Sequence, residues 1–478
     1  MIPSGEEGGT TGIQRRAKTH RNGRLRRLIS RRSPQALLVW GFAGLIIVGA
    51  ILLMLPISRV AGRVDPLAAL FTSTSAVCVT GLIVVDTARD FTVFGQVVIL
   101  VLIQLGGLGV MTFAALLFRV LGRRMSLSTQ AALHDSFSQK DMAVEFRSLF
   151  GGILRTVSVI EFTGFVLLFL SLQGTHSVGR ALYSALFHSV SSFCNAGFSI
   201  YSSNLLEIEN NAPALCVIMV LIVLGGLGHV VLRELWEVVV STAHGQRHRP
   251  GGRVTALTLH ARVVLITSGI LIVTGAGLLV LTGLGPDHAD VGSRIWAGLF
   301  QSVTARTAGF NTVPIGALPV ASLTLLSGLM FIGGSPGSCA GGVKTTSAAI
   351  YFAQVRALLG RHSEARLLGR ALTGDVVQRA GQVFMLAAGW NLIGVLLLAA
   401  VEVPGSGFNL EQMVFEQLSA FGTVGLSADV TPTLSVVGRM WIIATMFVGR
   451  LGPLTLATWV TSGRGARVKH PEGRVMIG

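Results

Sequence analysis

Charge is what this sequence has least of. Asp, Glu, Lys and Arg make up 13% of its 478 residues, about half of the roughly one quarter usual in soluble globular chains. A soluble domain of this length is thereby excluded, and the 51% hydrophobic share goes into long apolar runs. Extended polar segments are missing too. The longest reach only about 30 residues, too short for the nucleotide or phosphorylation domain of an ATP-driven pump or an enzyme. Cysteine is scarce. The four present, Cys78, Cys194, Cys216 and Cys339, lie in or beside apolar segments. Their unrelated spacing fits neither a zinc site nor a disulfide framework and predicts small buried hydrophobes.

What is present is membrane-spanning sequence. Residues 36–55 form an apolar run after Ser33-Pro34, a helix start, and are long enough to cross a hydrocarbon core of about 30 Å. The run is too long for a signal peptide, lacks a small-residue cleavage site and is followed by more spans, so the chain reads as polytopic. The net charge of +16 comes from 38 Lys+Arg against 22 Asp+Glu. Nucleic acid does not explain it, because the basic residues are clustered. Nine fall between Arg15 and Arg32, and others lie around 119–124, 247–262, 356–379 and 464–474. The opposite loops carry Asp86, Asp90, Glu207, Glu209, Asp287, Asp290, Glu402, Glu411 and Asp429. This positive-inside asymmetry predicts cytoplasmic termini. The tail over 1–34 is expected to lack a fold. Anionic lipid heads, a regulatory ring or plain topology signalling are its open roles.

Four short segments share a Gly-Leu/Phe ending: SAVCVTGL (75–82), SSFCNAGF (191–198), VTARTAGF (303–310) and AFGTVGLS (420–427). Their glycines, Gly81, Gly197, Gly309 and Gly425, are separated by 116, 112 and 116 residues. A second marker follows 24–28 residues later in each case: GGLG (106–109), GGLG (225–228), GGSPG (333–337) and GRLGP (449–453). Two markers in phase four times over define an internal repeat. Each unit reads as a long span (36–55, 150–172, 261–283, 382–402) and then a short half-apolar helix (66–77, 179–193, 292–303, 409–421). The Gly motif follows, and a second span closes the unit (93–121, 212–232, 317–350, 434–460). The short helices suit re-entrant segments.

Two full spans return the chain to its starting side, so the four units are parallel. The predicted fold is an all-α polytopic membrane protein with eight transmembrane spans around a pseudo-fourfold central pore. Its divisions are a tail over 1–34, units over 35–125, 126–235, 236–355 and 356–462, and a second tail over 463–478. Short helices would aim their negative dipole ends at the axis. The extended residues beyond them leave carbonyls able to replace a cation's hydration shell. A secondary transporter working by alternating access, the rival of a different class, is expected to carry inverted repeats instead.

These segments, with GGSPGSCAGGVKTT (333–346) and VGRLGPLT (448–455), resemble the Ktr/Trk/HKT superfamily of potassium transporters from residue 36 to about 460. The likeness is to the membrane subunit of bacterial Ktr systems, because no apolar run occupies residues 1–34. The resemblance implies a channel-like pore taking up K+ across the plasma (inner) membrane and admits Na+ as an activator. It also implies a homodimer, a cytoplasmic ring of nucleotide-binding regulatory subunits and no bound organic cofactor. The filter glycines would be Gly81, Gly197, Gly309 and Gly425, and glycine at all four favours K+. Ion ligands would come from the backbone of Val79, Thr80, Asn195, Ala196, Thr307, Ala308, Thr423 and Val424. A pore of the same fold that conducts Na+, or does not discriminate, is the other reading.

The stretch FIGGSPGSCAGGVKTT (331–346) invites comparison with a phosphate cradle, but Val343 separates Gly342 from Lys344, which breaks G-x-x-x-x-G-K-[ST]. Its glycines and proline cannot stay helical, so the third unit's second span should break below the filter. The resemblance places a gating loop there, comprising Gly334, Ser335, Pro336, Gly337, Ser338, Cys339, Ala340, Gly341, Gly342 and Lys344. The bland alternative is a packing kink. Ser335, Ser338, Lys344, Thr345 and Thr346 are polar groups at membrane depth, which face water or partners. Lys344 either repels cations or sits at the cytoplasmic edge. Arg450, inside the last span, joins the gate by the resemblance, with a structural ion pair as its other reading. Arg306 is expected to brace the filter from behind, with Glu161 and Glu416 as buried-acid candidates. His188 reads as a packed core residue.

Overall fold

The computed structural model describes residues 34–60, 64–122, 139–174, 177–243, 257–284, 291–361, 364–404, 407–453 and 455. The basic tail before Pro34, most of the 247–262 segment, Asp287, Asp290 and the 464–474 cluster lie outside the described residues.

The first long helix, α1 (Pro34–Met54), is followed by the short α2 (Pro66–Cys78) and the long α3 (Val93–Gly122). Asp65 starts α2: its carboxylate accepts from the Ala68 N–H at 2.5 Å, and Pro66 takes the first helical position, where a missing N–H costs nothing. The same order recurs as α4 (Gln139–Leu172), the short α5 (Val178–Phe193), and a second long element in two pieces, α6 (Ala212–Leu227) and α7 (His229–Ala243). The third recurrence is α8 (Leu259–Leu281), α9 (Val291–Thr304), α10 (Val320–Phe331) and α11 (Thr345–Leu359). The fourth is α12 (Gly374–Glu402), α13 (Leu410–Gly422) and α14 (Val436–Leu451). A capping box of Asn409 and Gln412 opens α13, satisfying two of the N–H groups a helix start leaves free. The all-α expectation needs one small correction, a hairpin of two-residue strands, Arg366–Leu367 and Arg370–Ala371.

Packing closes these elements on themselves. In sequence order, α3 packs on α5, α6 on α9, and α10 on α13, and α14 returns to α2. Each second helix therefore covers the short helix that follows, and the last covers the first. The short helices are buried over most of their C-terminal halves, whereas the long helices turn Trp40, Ile47, Val273, Leu281, Leu392 and Leu396 outward. Apolar surface outside and hydroxyl-rich helices inside invert the soluble pattern and suit a lipid solvent.

The spans differ from expectation in one place. Among the described residues, three helices are long and apolar enough to cross on their own, Phe150–Leu172, Leu259–Leu281 and Gly374–Glu402, and a fourth if α6 and α7 count as one. That pair is bent by 108°, so the expected continuous span over 212–232 breaks at Gly228, whose φ of 82° ends α6. The span over 317–350 is two helices, with residues 332–344 non-helical between them. Disruption below the short helices thus occurs in the second unit as well as the third. The break at 333–346 is not the unique loss of symmetry that the sequence predicts.

Candidate functional site

The four glycine motifs meet. Beyond each short helix the chain reverses through a left-handed residue two positions before the glycine. These residues are Val79, Asn195, Thr307 and Thr423, with φ of 56°, 59°, 82° and 50°. The glycines follow at 92°, 67°, 77° and 99° for Gly81, Gly197, Gly309 and Gly425. A left-handed φ costs a non-glycine residue about 1–2 kcal/mol, and for β-branched Val and Thr it is a true outlier. Three such outliers, with Asn195 in the same register, persist because the surroundings over-determine them.

The intervening N–H groups fold back onto the helix ends. Thr80 donates to Ser75 O (2.8 Å), Ala196 to Ser191 O (2.8 Å), Ala308 to Thr304 O (2.9 Å) and Val424 to Ser419 O (2.9 Å). Hydroxyls add to this: Gly81 N–H donates to Ser75 Oγ at 3.0 Å and Gly425 N–H to Ser419 Oγ at 3.1 Å. With their N–H groups committed, the same residues turn their carbonyls onto the preceding segment, the first onto the fourth. A Cβ added to Gly81 would lie 2.5 Å from Ala196 O, and one on Gly197 would lie 2.6 Å from Ala308 O. One on Gly309 would collide with Val424 O, and one on Gly425 with Thr80 O. The contacts run from the first segment to the second, third and fourth and back to the first. They form a closed ring of backbone oxygens, with the C-terminal, partly negative ends of four helices behind it. Such a ring favours a cation at its centre.

Beside the ring, the four glycines also line a cavity of about 300 Å³ with Asp86, Asn204, Asn311, Ser427 and Asp429. Its two carboxylates raise the local concentration of cations. Glu416 fixes one wall. Its carboxylate accepts from Ser427 Oγ (2.5 Å), the Ala428 N–H (2.9 Å) and Thr431 Oγ1 (2.6 Å). His188 bonds Ser184 and Ser199 and stacks on Tyr201 at 4.9 Å, a packed residue as its sequence position predicts. The Asn195 amide and the Thr307 hydroxyl bond at 3.2 Å, tying neighbouring segments below the ring.

Residues 332–344 lie on the other side of the ring. Gly333 approaches Thr307 and Gly341 approaches Thr423, so the loop runs directly beneath two of the left-handed residues. Ser335 donates from its N–H to Gly226 O at 3.0 Å and from Oγ to Gly226 O (2.9 Å) and Leu227 O. Cys339 N–H donates to Gly225 O at 3.3 Å, and His229 N–H donates to Gly337 O at 3.3 Å. The loop thus occupies the backbone groups left open by the break between α6 and α7. Ser338 Oγ closes a turn on Ser335 O at 2.6 Å, with Pro336 between them. Lys344 bends back to Ala340 O (2.5 Å) and Gly341 O (3.5 Å), and Gly342 takes a φ of 64°. Thr345 opens α11 and donates its N–H to Gly334 O at 3.0 Å.

Arg450 is 3% exposed and donates to Cys339 O and, at 3.0 Å, to Gly106 O. It clamps the loop to the first unit's GGLG. The expected acid partners of Arg306 are not the ones found. Its guanidinium donates to Ser268 O (3.3 Å) and Ser268 Oγ (3.1 Å) on α8. Glu161 instead accepts from Gln104 at 3.1 Å, and Glu416 holds the segment described above. Nothing in the sequence marks Ser268, one hydroxyl in a long apolar helix. The left-handed residues are also unmarked by type and are found only by counting back from the glycines.

Apolar helices turned outward, with four helix ends converging on a ring of backbone oxygens, define a helical membrane protein. The chain belongs to the TrkH family, described as cation transport proteins, whose model matches residues 45–467. This is a family of transporters, not of enzymes. Among its relatives, the potassium/sodium uptake protein NtpJ of Enterococcus hirae is 34% identical over 95% of this chain and 99% of its own length. The Ktr system potassium uptake protein B of Bacillus subtilis is 34% identical over 93% of this chain and 97% of its own. The crystal structure of the potassium transporter TrkH from Vibrio parahaemolyticus shares the fold, with a TM-score of 0.66 at 19% identity. It covers 91% of this chain and 86% of that one.

Proposed function

We propose that the chain takes up K+ across the plasma membrane through a channel-like pore, four parallel units and eight spans around one pseudo-fourfold axis. The observation that carries this reading is the closed ring in which Thr80, Ala196, Ala308 and Val424 each turn a carbonyl onto the glycine of the segment before, with Thr80 closing the circle on Gly425. Oxygens held in this way replace a desolvated ion's water without a charged side chain. Val79, Asn195, Thr307 and Thr423 set the direction of the chain. The relatives named as potassium uptake proteins support K+ as the ion. The loop over 333–346 and Arg450 serve as the gate, because they lie under the ring and bond to one another. Rocking between halves is less well served, since each unit's second helix packs on the next unit's short helix in a closed circuit.

The proposed assembly is a homodimer with cytoplasmic termini on a nucleotide-binding regulatory ring. Relatives named as members of Ktr systems favour such a partner. One relative named for both potassium and sodium keeps a second reading, in which Na+ activates or shares the path. Growth and Rb+ uptake in a K+-uptake-deficient host test both. Expression is expected to restore growth at low K+, with uptake resisting a tenfold excess of Na+. No restored uptake would overturn the reading, and uptake abolished by Na+ would move it to the second.

A further inference from the structure

Three of the four cysteines gather below the ring, in one layer. Cys78 and Cys194 occupy equivalent positions, each three residues before its glycine, and Cys339 comes from the loop. All three are buried and free, whereas Cys216 is exposed. The closest approach is between Cys194 and Cys339. A Cβ on Gly107 would lie 2.9 Å from Cys194 Sγ and 3.2 Å from Cys339 Sγ. Both sulfurs therefore border one small gap, kept open by the missing side chain at Gly107. The Arg450 guanidinium is within electrostatic reach of the three thiols and bonds the Cys339 carbonyl. Cys194 also donates to Gln104 Oε1 at 3.4 Å, so its orientation is fixed.

We propose that Cys194 and Cys339 form a two-coordinate site for a soft monovalent d10 cation, Cu(I) or Ag(I), that joins the loop to the second short helix. Thiolate sulfur selects such ions over the hard alkali cations. With bonds of ordinary metal–thiolate length, about 2.3 Å, one bridging ion holds two sulfurs about 4.6 Å apart. Two sulfurs at 2.9 Å and 3.2 Å from one point near Gly107 lie within about 6.1 Å of each other, so that span is within their reach. Among the described residues no group of three or more His, Cys, Asp or Glu is placed to hold a metal. Tetrahedral zinc coordination is thereby disfavoured, and the two-sulfur geometry is what remains. Binding releases two protons: two thiols and M+ give a bis-thiolate complex of charge −1 and two H+. No electron is transferred. The complex's negative charge is matched by Arg450 at the same depth. An alkali ion would pass this point, while a thiophilic one would be retained.

The effect on flux rests on the proposed pore, but the site does not, and the experiment separates the two. The full chain carrying Cys78→Ser and Cys216→Ser retains only the pair. In detergent, under reducing conditions, it is expected to bind one Ag(I) per chain by equilibrium dialysis. Adding Cys339→Ser or Cys194→Ser should weaken binding at least tenfold. Absence of Ag(I) from the pair-only protein overturns the site, as does undiminished binding after either added substitution. In proteoliposomes, Ag(I) should block Rb+ flux through the pair-only protein, with reversal by excess dithiothreitol. The protein with all four cysteines replaced by serine should be insensitive. Binding without any block would support the site and count against the loop's lying on the ion path.

Discussion

The ring and the layer just beneath it are made by the same four units, yet they treat the repeat in opposite ways. At the ring the units agree. Each supplies one left-handed residue, one folded-back N–H and one glycine against a neighbour's carbonyl. Beneath it they part. The helix α3 continues through its GGLG, and α6 ends in the same four letters with a 108° bend. The third unit opens into a loop, and the fourth ends α14 beside Arg450 and Gly452, whose φ is 85°. The difference has a physical reading. In the proposed pore, four equal dipoles serve where an ion exchanges its shell, whereas a barrier in a single path needs only one obstruction.

The largest expected effect comes from breaking the equality of the ring. Gly309→Ala would put a methyl group onto Val424 O at a φ of 77°. Left-handed strain alone is about 1–2 kcal/mol for a non-glycine residue, and a backbone collision adds to it. Rb+ uptake is expected to fall at least tenfold. Gly425→Ala, against Thr80 O, should behave alike, and the roomier Gly197 and Gly81 should be less affected. Serine at these positions should weaken discrimination of K+ from Na+ wherever transport survives, read as Rb+ uptake with and without Na+. Unchanged transport and selectivity in all four variants would remove the ring from the ion path.

Breaking the lower layer should act in the other direction. Deleting Gly337–Gly342 removes Cys339, which bonds Gly225, and leaves only the flanking Ser335 on Gly226 and Leu227. Flux is expected to rise several-fold, with looser control by a regulatory partner. Unchanged flux and control would make the loop a packing kink. Arg450→Gln is the milder version. It gives up charge-assisted bonds to Cys339 O and Gly106 O, of a class worth about 1.5–3 kcal/mol each. A gain in Rb+ uptake smaller than that of the deletion is expected, with selectivity unaltered because the ring is untouched. Equal or greater gain would make Arg450, rather than the loop, the main obstruction.

The two layers were unequally legible in the sequence. The short helices were readable to within a few residues, because each is a half-apolar segment ended by a marked glycine. The two-marker spacing has a local cause that the structure supplies. Gly106, Gly225 and Gly449 each press on the last carbonyls of their own unit's short helix, at Val77, Phe193 and Phe421, and only glycine permits that approach. The break at Gly228 was not readable, since GGLG at 106–109 stays helical. What ends α6 is the distant loop, whose Ser335 takes the Gly226 and Leu227 carbonyls. Arg306 escaped for a similar reason. Charge alone pointed to an acid, while the partner is a serine of α8. Local pattern carries the repeat, and tertiary contact carries its exceptions.

The smallest expected effect tests whether the ring's equality is energetic as well as geometric. Ser75 and Ser419 are equivalent hydroxyls that accept from Gly81 N–H at 3.0 Å and Gly425 N–H at 3.1 Å. The other two segments lack this bond: Ser191 Oγ donates to Phe198 O at 2.7 Å, and Gly309 N–H uses Thr304 O at 3.3 Å. Replacing Ser75 or Ser419 by alanine leaves a glycine N–H without its acceptor, a loss of about 1–3 kcal/mol. The two substitutions should shift thermal unfolding of the purified protein by similar amounts and lower K+ over Na+ discrimination slightly. The first and fourth segments would then be interchangeable in energy, as they are in shape. A marked effect from one serine and none from the other would mean that neighbouring segments in the ring bear unequal load, with the symmetry belonging to the backbone alone.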